Sequence, residues 1–351
     1  LVKTLILLFT MKEYLYNKKS IEELRADLQK ENFKRVTYSF YKYVTIDQPE
    51  NFRDRLYKLC SKNNVLGRIY IANEGINAQL SIPEHNWTVF KSSLSQFKEL
   101  KKLQFKKAIE DGNSFLKLIV KLKKEIVAYN VDVNDVDMEV VGKHLSPQDF
   151  NEKIDHHNAV VVDMRNYYES EVGRFENAIT PNAATSRELL SEVKDLIKSH
   201  KKNPVLLYCT GGIRCEKASS YLIQNGFEDV YQLSGGIINY AHEVRSKKIK
   251  SKFKGKNFVF DARMGERVTF DVIGNCYQCG MRSDDHKDCN NDACNVLFIQ
   301  CKNCEKEFLG CCSKDCMNFS KLSDDKQKQF RKDPDKVVYK KRYSMRALNS
   351  N

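Results

Sequence analysis

The chain has 351 residues and a formal net charge of +13, because 59 Lys and Arg outnumber 46 Asp and Glu. Hydrophobic residues make up 41% of it, which is enough for buried cores and argues against global disorder. This length favours two or three domains. No apolar run approaches the ~20 residues of a membrane span, and 15 Gly and 6 Pro exclude a collagen-like or proline-rich chain.

Residues 1–35 predict an N-terminal extension with one helix. The apolar residues 5–9 are too few for a span and lack a signal-peptide cleavage motif. We interpret them as a start-site artefact, with Met11 as the start, or as a packed strand; a weak signal peptide is the alternative. Ser20 and Glu23 have the spacing of a capping box and predict the start of the helix.

Residues 36–130 alternate between strand and helix patterns. The order β-α-β-β-α-β is the signature of a ferredoxin-like (acylphosphatase-like) α+β domain. The predicted elements are a strand at 37–45, a helix at 51–60, a hairpin at 67–80, a helix at 87–100, and a strand or strand pair at 115–127.

Residues 140–250 predict a second domain with a doubly wound parallel sheet. The continuous apolar runs 159–163, 205–208 and 230–233 are typical of parallel strands buried on both faces, and helices alternate with them. Residues 245–256 contain seven basic residues and no acid, which predicts an exposed connector. Residues 251–351 form the predicted Cys-rich C-terminal module and basic tail.

The candidate catalytic chemistry lies in a loop that follows the strand at 205–208. Cys209 stands where a parallel strand ends and a helix begins, which is where such sheets bind ligands. Helix N–H groups favour a thiolate there, and Arg214 adds a positive charge. We predict Cys209 and Arg214 as catalytic residues. The rest of the predicted active-site loop is Thr210, Gly211, Gly212, Ile213 and Cys215, of which the glycines let backbone N–H groups point inward.

Three questions about this loop stay open in the sequence. Four residues separate Cys209 from Arg214, one fewer than in Cys-based phosphatases of related fold, which favours a small sulfur-borne group over a phosphate. Cys215 either resolves an oxidised Cys209 as a disulfide or is a small buried residue. Asp163 and Arg165 either form a structural ion pair or hold the loop.

Residues 140–245 resemble a rhodanese domain. The matching segments are 161–169, which contains Asp163-x-Arg165 and a following acid, 173–181, Cys209–Arg214, and Leu-Ser-Gly-Gly-Ile at 233–237. In the second segment, Arg174 replaces the family's His and Asn177 replaces its Gly. The resemblance implies that Cys209 accepts a persulfide.

From about residue 36 to residue 316, the chain resembles the bacterial tRNA uridine hydroxylase family. The motifs are Gly-Arg-Ile-Tyr-Ile-Ala-Asn-Glu-Gly-Ile-Asn-Ala-Gln-Leu-Ser at 67–81, Tyr-Cys-Thr-Gly-Gly-Ile-Arg-Cys-Glu-Lys-Ala-Ser at 208–219, and Cys-Tyr-Gln-Cys at 276–279. The resemblance implies oxygen-dependent formation of 5-hydroxyuridine at the wobble position of tRNA, with Cys209 as the reacting residue. The alternatives are a persulfide sulfurtransferase, which the loop alone supports equally well, and a non-enzymatic RNA-binding adaptor.

The implied partner is the anticodon region of tRNA, and the implied co-substrate is molecular oxygen. The positive net charge and the basic run at 245–256 are expected to attract the phosphate backbone of a nucleic acid. The aromatic residues Tyr38, Phe40, Tyr41 and Tyr43 could stack on an unpaired base or pack in a core. No flavin or haem motif is evident, so no catalytic cofactor is predicted. We expect a cytoplasmic protein without a membrane partner, and the sequence does not predict its oligomeric state.

The cysteine pattern of the C-terminal module predicts structural zinc, with disulfides or reduced thiols as alternatives. Nine of the 12 Cys lie between residues 276 and 316, which points to one metal module in a reducing cell. A Cys-x2-Cys knuckle supplies two of the four ligands that zinc requires. The eight ligands predicted for two sites are Cys276, Cys279, Cys289, Cys294, Cys301, Cys304, Cys311 and Cys316; His286 and Cys312 complete the candidates.

Overall fold

The computed structural model describes residues 15–294 and 296–332. The apolar segment 5–9, Met11 and the basic residues of the C-terminal tail lie outside the described residues. Within the described part of the chain, every helix is too short or too polar to cross a membrane.

Helices and strands alternate through most of the described chain. The helices are α1 (Ile21–Gln29), α2 (Pro49–Lys62), α3 (Trp87–Leu94), α4 (Pro147–Ile154), α5 (Tyr167–Ser170), α6 (Ser186–Leu196), α7 (Ile213–Gln224), α8 (Gly236–Lys247), α9 (Lys302–Glu307), α10 (Lys314–Ser320) and α11 (Asp324–Arg331). The strands are β1 (Arg35–Tyr43), β2 (Leu66–Ala72), β3 (Gly75–Pro83), β4 (Lys106–Lys107), β5 (Leu118–Leu122), β6 (Lys143–Leu145), β7 (Val160–Asp163), β8 (Gly173–Phe175), β9 (Pro204–Tyr208), β10 (Asp229–Leu233), β11 (Phe253–Asn257), β12 (Glu266–Arg267), β13 (His286–Asp288) and β14 (Leu297–Ile299).

The chain divides into two compact units. The described part of the first unit comprises residues 15–36, Lys42–Leu103 and Phe115–Ile126. In it, β2 pairs antiparallel with β3 as the predicted hairpin and parallel with β5. The helix α2 starts with Pro49 at its first turn and buries Phe52, Leu56 and Cys60, whose spacing of four places them on one face.

The predicted element order of the N-terminal domain is confirmed by β1, α2, β2, β3, α3 and β5. The capping box is confirmed too, because Ser20 accepts a hydrogen bond from the Glu23 N–H while Glu23 caps the Ser20 N–H. The helix predicted at 87–100 is shorter than expected and ends at Leu94. Serines at its C-terminal end bond to the preceding turn through their side chains, a competition that weakens a helix.

The second unit contains Thr37–Tyr41, Gln104–Ser114 and the described residues from Val127 onwards. Its central sheet has the order β6-β10-β9-β7, and every pair in it is parallel. Val205 and Leu207 belong to one hydrophobic cluster, whereas Leu206 and Tyr208 belong to another. Because successive side chains of a strand point to opposite faces, β9 is covered on both sides, which explains its unbroken apolar run.

The interpretation of residues 245–256 as an exposed connector is wrong. The helix α8 continues to Lys247, and β11 pairs antiparallel with β8 through the register of Phe253 with Phe175. Phe253 is fully buried, while the lysines that alternate with the inward residues reach acidic partners. Lys252 pairs with Asp155, Lys254 with Glu176, and Lys256 with Asp284. These charges are therefore largely neutralised within the protein.

Candidate active site

Cys209 lies between the end of β9 and the start of α7, as predicted. Gly212 is the N-cap of α7 and has φ +99°, a left-handed conformation that only glycine adopts without strain. This conformation turns the Gly212 N–H toward Cys209, and the N–H donates a hydrogen bond to Sγ over 3.1 Å. Cys209 has 0% exposed surface, so any substrate reaches its sulfur only after neighbouring groups move.

The loop favours the ionised form of Cys209. Burial alone raises the pKa of this thiol, but the hydrogen bond from Cys215, the charge of Arg214, and the N–H groups of Gly212 and Arg214 together lower it to about 5. A thiolate is the reactive form of cysteine. At neutral pH the loop therefore favours a buried thiolate at Cys209 over the neutral thiol.

Arg214 is not a free positive charge. Its guanidinium binds both carboxylate oxygens of Glu169, over 2.6 Å and 2.9 Å, and also donates to the Thr210 hydroxyl over 3.2 Å. Glu169 is fully buried and caps the short helix α5 from its N3 position. Sequence reasoning noted this acid as part of a motif but missed its role, because it lies 45 residues from Arg214.

The other predicted loop residues occupy distinct positions. Cys215 is fully buried and donates its S–H to Cys209, and burial raises the pKa of Cys215. Ile213 packs against the core cluster beneath the sheet. Gly211 has open space where a side chain would stand. Whether Cys215 resolves an oxidised Cys209 or substitutes for a serine stays a prediction.

A polar network that the sequence did not predict lies beside the loop in the same unit. Glu216 follows Cys215 directly and is its centre. The Tyr41 hydroxyl donates to Glu216 over 2.8 Å, Gln232 donates to it over 3.0 Å, and His144 lies 2.9 Å from it. Although burial raises the pKa of Glu216, the contacts with His144, Tyr41 and Gln232 give it a net lowering. The sequence indicated this network only through the position of Tyr41 on an aromatic strand. Phe40, on the same strand, is a core residue and makes an edge-to-face contact with Phe105.

Asp163 and Arg165 form a structural ion pair, one of the two readings left open. Both are fully buried, and the guanidinium bonds to both carboxylate oxygens and to the Gly173 carbonyl. The Tyr208 hydroxyl donates to the same carboxylate over 2.8 Å. The pair thus joins the ends of β7 and β9 to β8.

Eight cysteines of the C-terminal module gather into two groups of four that could hold metal ions. Within each group all four sulfur atoms lie within 4.8 Å of one another. Distances of 3.6 Å separate Cys279 from Cys301, and Cys312 from both Cys294 and Cys316. The first group is Cys276, Cys279, Cys301 and Cys304; the second is Cys289, Cys294, Cys312 and Cys316.

The structure places Cys312, not Cys311, in the second group. The Cys311 sulfur instead lies 3.7 Å from the Ser320 hydroxyl. Adjacent residues point in different directions, so spacing could not decide between these two cysteines. His286, the remaining candidate, is buried outside both groups, with Phe258 packed edge-to-face against its ring.

Three family models match the chain. They are the UPF0176 acylphosphatase like domain at residues 35–126, the Rhodanese-like domain at 146–243, and the Rhodanase C-terminal domain at 254–317. The predicted combination of an acylphosphatase-like domain, a rhodanese-like domain and a Cys-rich C-terminal region is thereby confirmed.

Curated relatives match almost the whole chain. A protein of Leptospira interrogans named tRNA uridine(34) hydroxylase is 51% identical over 92% of this chain and 88% of its own length. Proteins of the same name from Escherichia fergusonii and Pectobacterium carotovorum are each 46% identical over 90% of this chain, covering 91% and 90% of their own lengths. At this identity and coverage, the chain belongs to the tRNA uridine(34) hydroxylase family.

Proposed function

We propose that this protein hydroxylates C5 of the uracil at position 34 of tRNA, with Cys209 as the reacting residue and molecular oxygen as co-substrate. The observation that carries the proposal is the loop in which Gly212 and Arg214 stabilise a buried thiolate, in a chain 51% identical to a tRNA uridine(34) hydroxylase. The loop residues Thr210, Gly211, Gly212 and Ile213 shape the backbone around that sulfur.

The first chemical step is addition of the thiolate to C6 of the uracil ring. A sulfur electron pair forms the S–C6 bond, and the C5=C6 π pair moves toward C5 and O4 as an enolate, so no redox change occurs in this step. The enolate makes C5 electron-rich. Hydroxylation then takes one oxygen atom from O2, and the other leaves as water with two electrons and two protons from a thiol-class reductant. Loss of the C5 proton and release of sulfur from C6 restore the double bond.

The nucleobase must leave its stack, and the groups that cover Cys209 must move, before the two can meet, because this residue has no exposed surface. An unpaired anticodon base can swing out at low cost compared with a base in a duplex. The net charge of +13 favours association with the phosphate backbone. The lysines of β11 are paired with acids, so other basic residues carry this attraction. We place the protein in the cytoplasm, where tRNA and reduced thiols are found.

Nucleoside mass spectrometry tests this function. Purified protein is incubated with unmodified tRNA, O2 and a dithiol, and the tRNA is digested for analysis. Wild type should form 5-hydroxyuridine at position 34, and Cys209→Ser should lower the rate by at least about 10³-fold. Cys60→Ser is the control, because Cys60 is equally buried but lies in α2.

Unchanged hydroxylation by Cys209→Ser would remove this residue from the mechanism. Sulfur transfer from thiosulfate to cyanide by the wild type, without any hydroxylation, would instead establish the sulfurtransferase that the loop alone also supports.

We also propose that each four-cysteine group holds one structural zinc ion. Zinc–sulfur bonds of about 2.3 Å in a tetrahedron separate the sulfurs by about 3.8 Å, close to the 3.6 Å between Cys279 and Cys301. A disulfide needs about 2.05 Å, so these spacings fit a metal and not a bridge. When bound, the ion ties the knuckle Cys276–Cys279 to Cys301 and Cys304, and it takes no part in the reaction.

Elemental analysis of the purified protein tests the metal. Two zinc ions per chain are expected, and Cys312→Ser should remove one of them while Cys311→Ser removes none. Bound iron in place of zinc, which four thiolates can also hold, or two zinc ions in Cys312→Ser, would contradict the assignment.

A further inference from the structure

Lys106 is a half-buried cation beside the Cys209 loop that the mechanism so far does not use. Its strand β4 pairs antiparallel with β1, with Ser39 opposite Lys106, so that the lysine lies on the strand next to the one that carries Tyr41. The Lys106 ammonium lies 4.3 Å from the centre of the Tyr41 ring. All of these residues belong to the second unit, as does the loop.

Lys106 has one neighbour that contacts the loop directly and another that is followed by a residue in contact with it. On one side, a Cβ placed on Gly212 would lie 2.9 Å from the Tyr41 hydroxyl. On the other, a Cβ placed on Gly235 would lie 3.5 Å from Lys106 Cε, and the next residue, Gly236, lies directly against the Cys209 carbonyl. Lys106 is therefore held between the two turns that enclose Cys209.

The charges around the loop leave Lys106 without an anionic partner of its own. Arg214 and Glu169 neutralise each other as a bidentate pair, and Glu216 is already bonded to Tyr41, His144 and Gln232. Within the part of the chain that the structure describes, no carboxylate lies within ion-pair distance of Lys106. Burial lowers the pKa of Lys106 to about 8, while the charges of Cys209 and Glu216 oppose this shift.

We propose that the Lys106 ammonium is a second counter-charge of the Cys209 thiolate, in addition to Arg214, and, once uracil is bound, the donor that binds the ring oxygen on which negative charge develops. This inference rests on the proposed function, because it needs Cys209 as the nucleophile. As the S–C6 bond forms, charge leaves the sulfur and moves to O4. A cation held against the turns that enclose Cys209 acts on both positions of this charge, so it stabilises both the thiolate and the enolate. No electron is gained or lost in the step.

The decisive variants are Lys106→Gln, which removes the charge, and Lys106→Arg, which keeps it. Lys107→Gln is the matched control, because Lys107 is the exposed neighbour on the same short strand. To follow the ionisation of Cys209, the ultraviolet thiolate absorbance of each protein is measured as a function of pH. The absorbance of the same protein carrying Cys209→Ser is then subtracted. The other ionisable groups packed around the loop are Tyr41, Tyr129, His144, Glu169, Cys215 and Glu216, and all are present in every variant.

Lys106→Gln should raise the midpoint of the Cys209 titration by about one pH unit. At a pH well below the wild-type midpoint, the fraction of Cys209 present as thiolate should therefore fall roughly tenfold. The variant should also lower the hydroxylation rate at saturating tRNA at least tenfold with little change in KM, because the interaction is made as charge develops. Lys106→Arg should restore most of the wild-type titration midpoint and most of the hydroxylation rate, and Lys107→Gln should match the wild type in both measurements.

A wild-type midpoint and rate in Lys106→Gln, with Cys209→Ser inactive, would overturn this inference and leave the proposed function intact. Failure of Lys106→Arg to restore the midpoint in a folded protein would also overturn it, because the charge would then not be the cause. Full hydroxylation by Cys209→Ser would instead overturn the proposed function and, with it, the role of Lys106 toward uracil.

Discussion

Cys60 and Cys209 are both fully buried cysteines, yet their surroundings give them opposite acidities. Cys60 lies on the inner face of α2 among apolar side chains, where burial raises its pKa above the ordinary value. Cys209 experiences the same effect of burial, but the Cys215 thiol, the Arg214 charge and two backbone N–H groups reverse it. Burial therefore sets only the starting point, and the donors aimed at the sulfur decide whether a cysteine is structural or reactive.

Titration of the two thiols is the largest expected difference. The difference in thiolate absorbance between wild type and Cys209→Ser should have a titration midpoint near pH 5. The difference between wild type and Cys60→Ser should show no titration midpoint at neutral pH or below. Since the Cys209 pKa is lower in the folded state, its ionisation adds stability that is fully present above the unfolded value of about 8.5 and is lost as pH falls through 5. A Cys209 midpoint near 8.5 would remove the contrast.

Removal of the acid that fixes Arg214 should have the next largest effect. Glu169→Gln leaves a buried guanidinium without its counter-charge, and we expect the free energy of unfolding to fall by about 3–5 kcal/mol. Glu176→Gln is the control, because its pair with Lys254 is half exposed on both sides and should contribute far less to the free energy of unfolding. Equal losses in chemical denaturation would show that the loop pair is no more important than a surface pair.

Gly212→Ala should have a smaller effect, confined to the loop. Its φ of +99° and the Tyr41 hydroxyl 2.9 Å from the added Cβ both oppose a side chain, and a left-handed residue costs about 1–2 kcal/mol. The displaced N–H should also raise the Cys209 pKa. Gly211→Ala is the matched control, since its Cβ would meet no atom within 4 Å. Thermal unfolding that ranks the two variants equally would contradict this account.

Variants of Cys215 should give the smallest effect and bear on its open role. Cys215→Ala removes the donor to Cys209 and should raise the thiol pKa by about one unit, whereas Cys215→Ser retains a donor and should change it little. The same absorbance titration measures both. If Cys215→Ser keeps full hydroxylation through repeated turnovers, Cys215 is a buried donor and not a resolving thiol.

Several features were predictable from the sequence because they depend on neighbours in the chain. The Gly-Gly turn after β9 needs only local backbone geometry to point N–H groups at Cys209, and the apolar runs identify strands covered on both faces. Asn177 belongs to the same class. It stands where the resemblance expects glycine and adopts φ +58°, a conformation that asparagine tolerates better than most residues.

From the sequence alone, the domain order, the place of Cys209 at a strand–helix junction and the two Cys-x2-Cys knuckles could be predicted, since each depends on consecutive or closely spaced residues. Three contacts between residues distant in the chain became evident only in the fold: Glu169 pairs with Arg214, Cys312 takes the place expected for Cys311, and Tyr41 reaches Glu216 across 175 residues. It also revealed that the lysines of β11 face acids and that Lys106 stands beside the loop. The physical reason is that a charge acts through space, so its effect depends on partners that sequence distance does not encode.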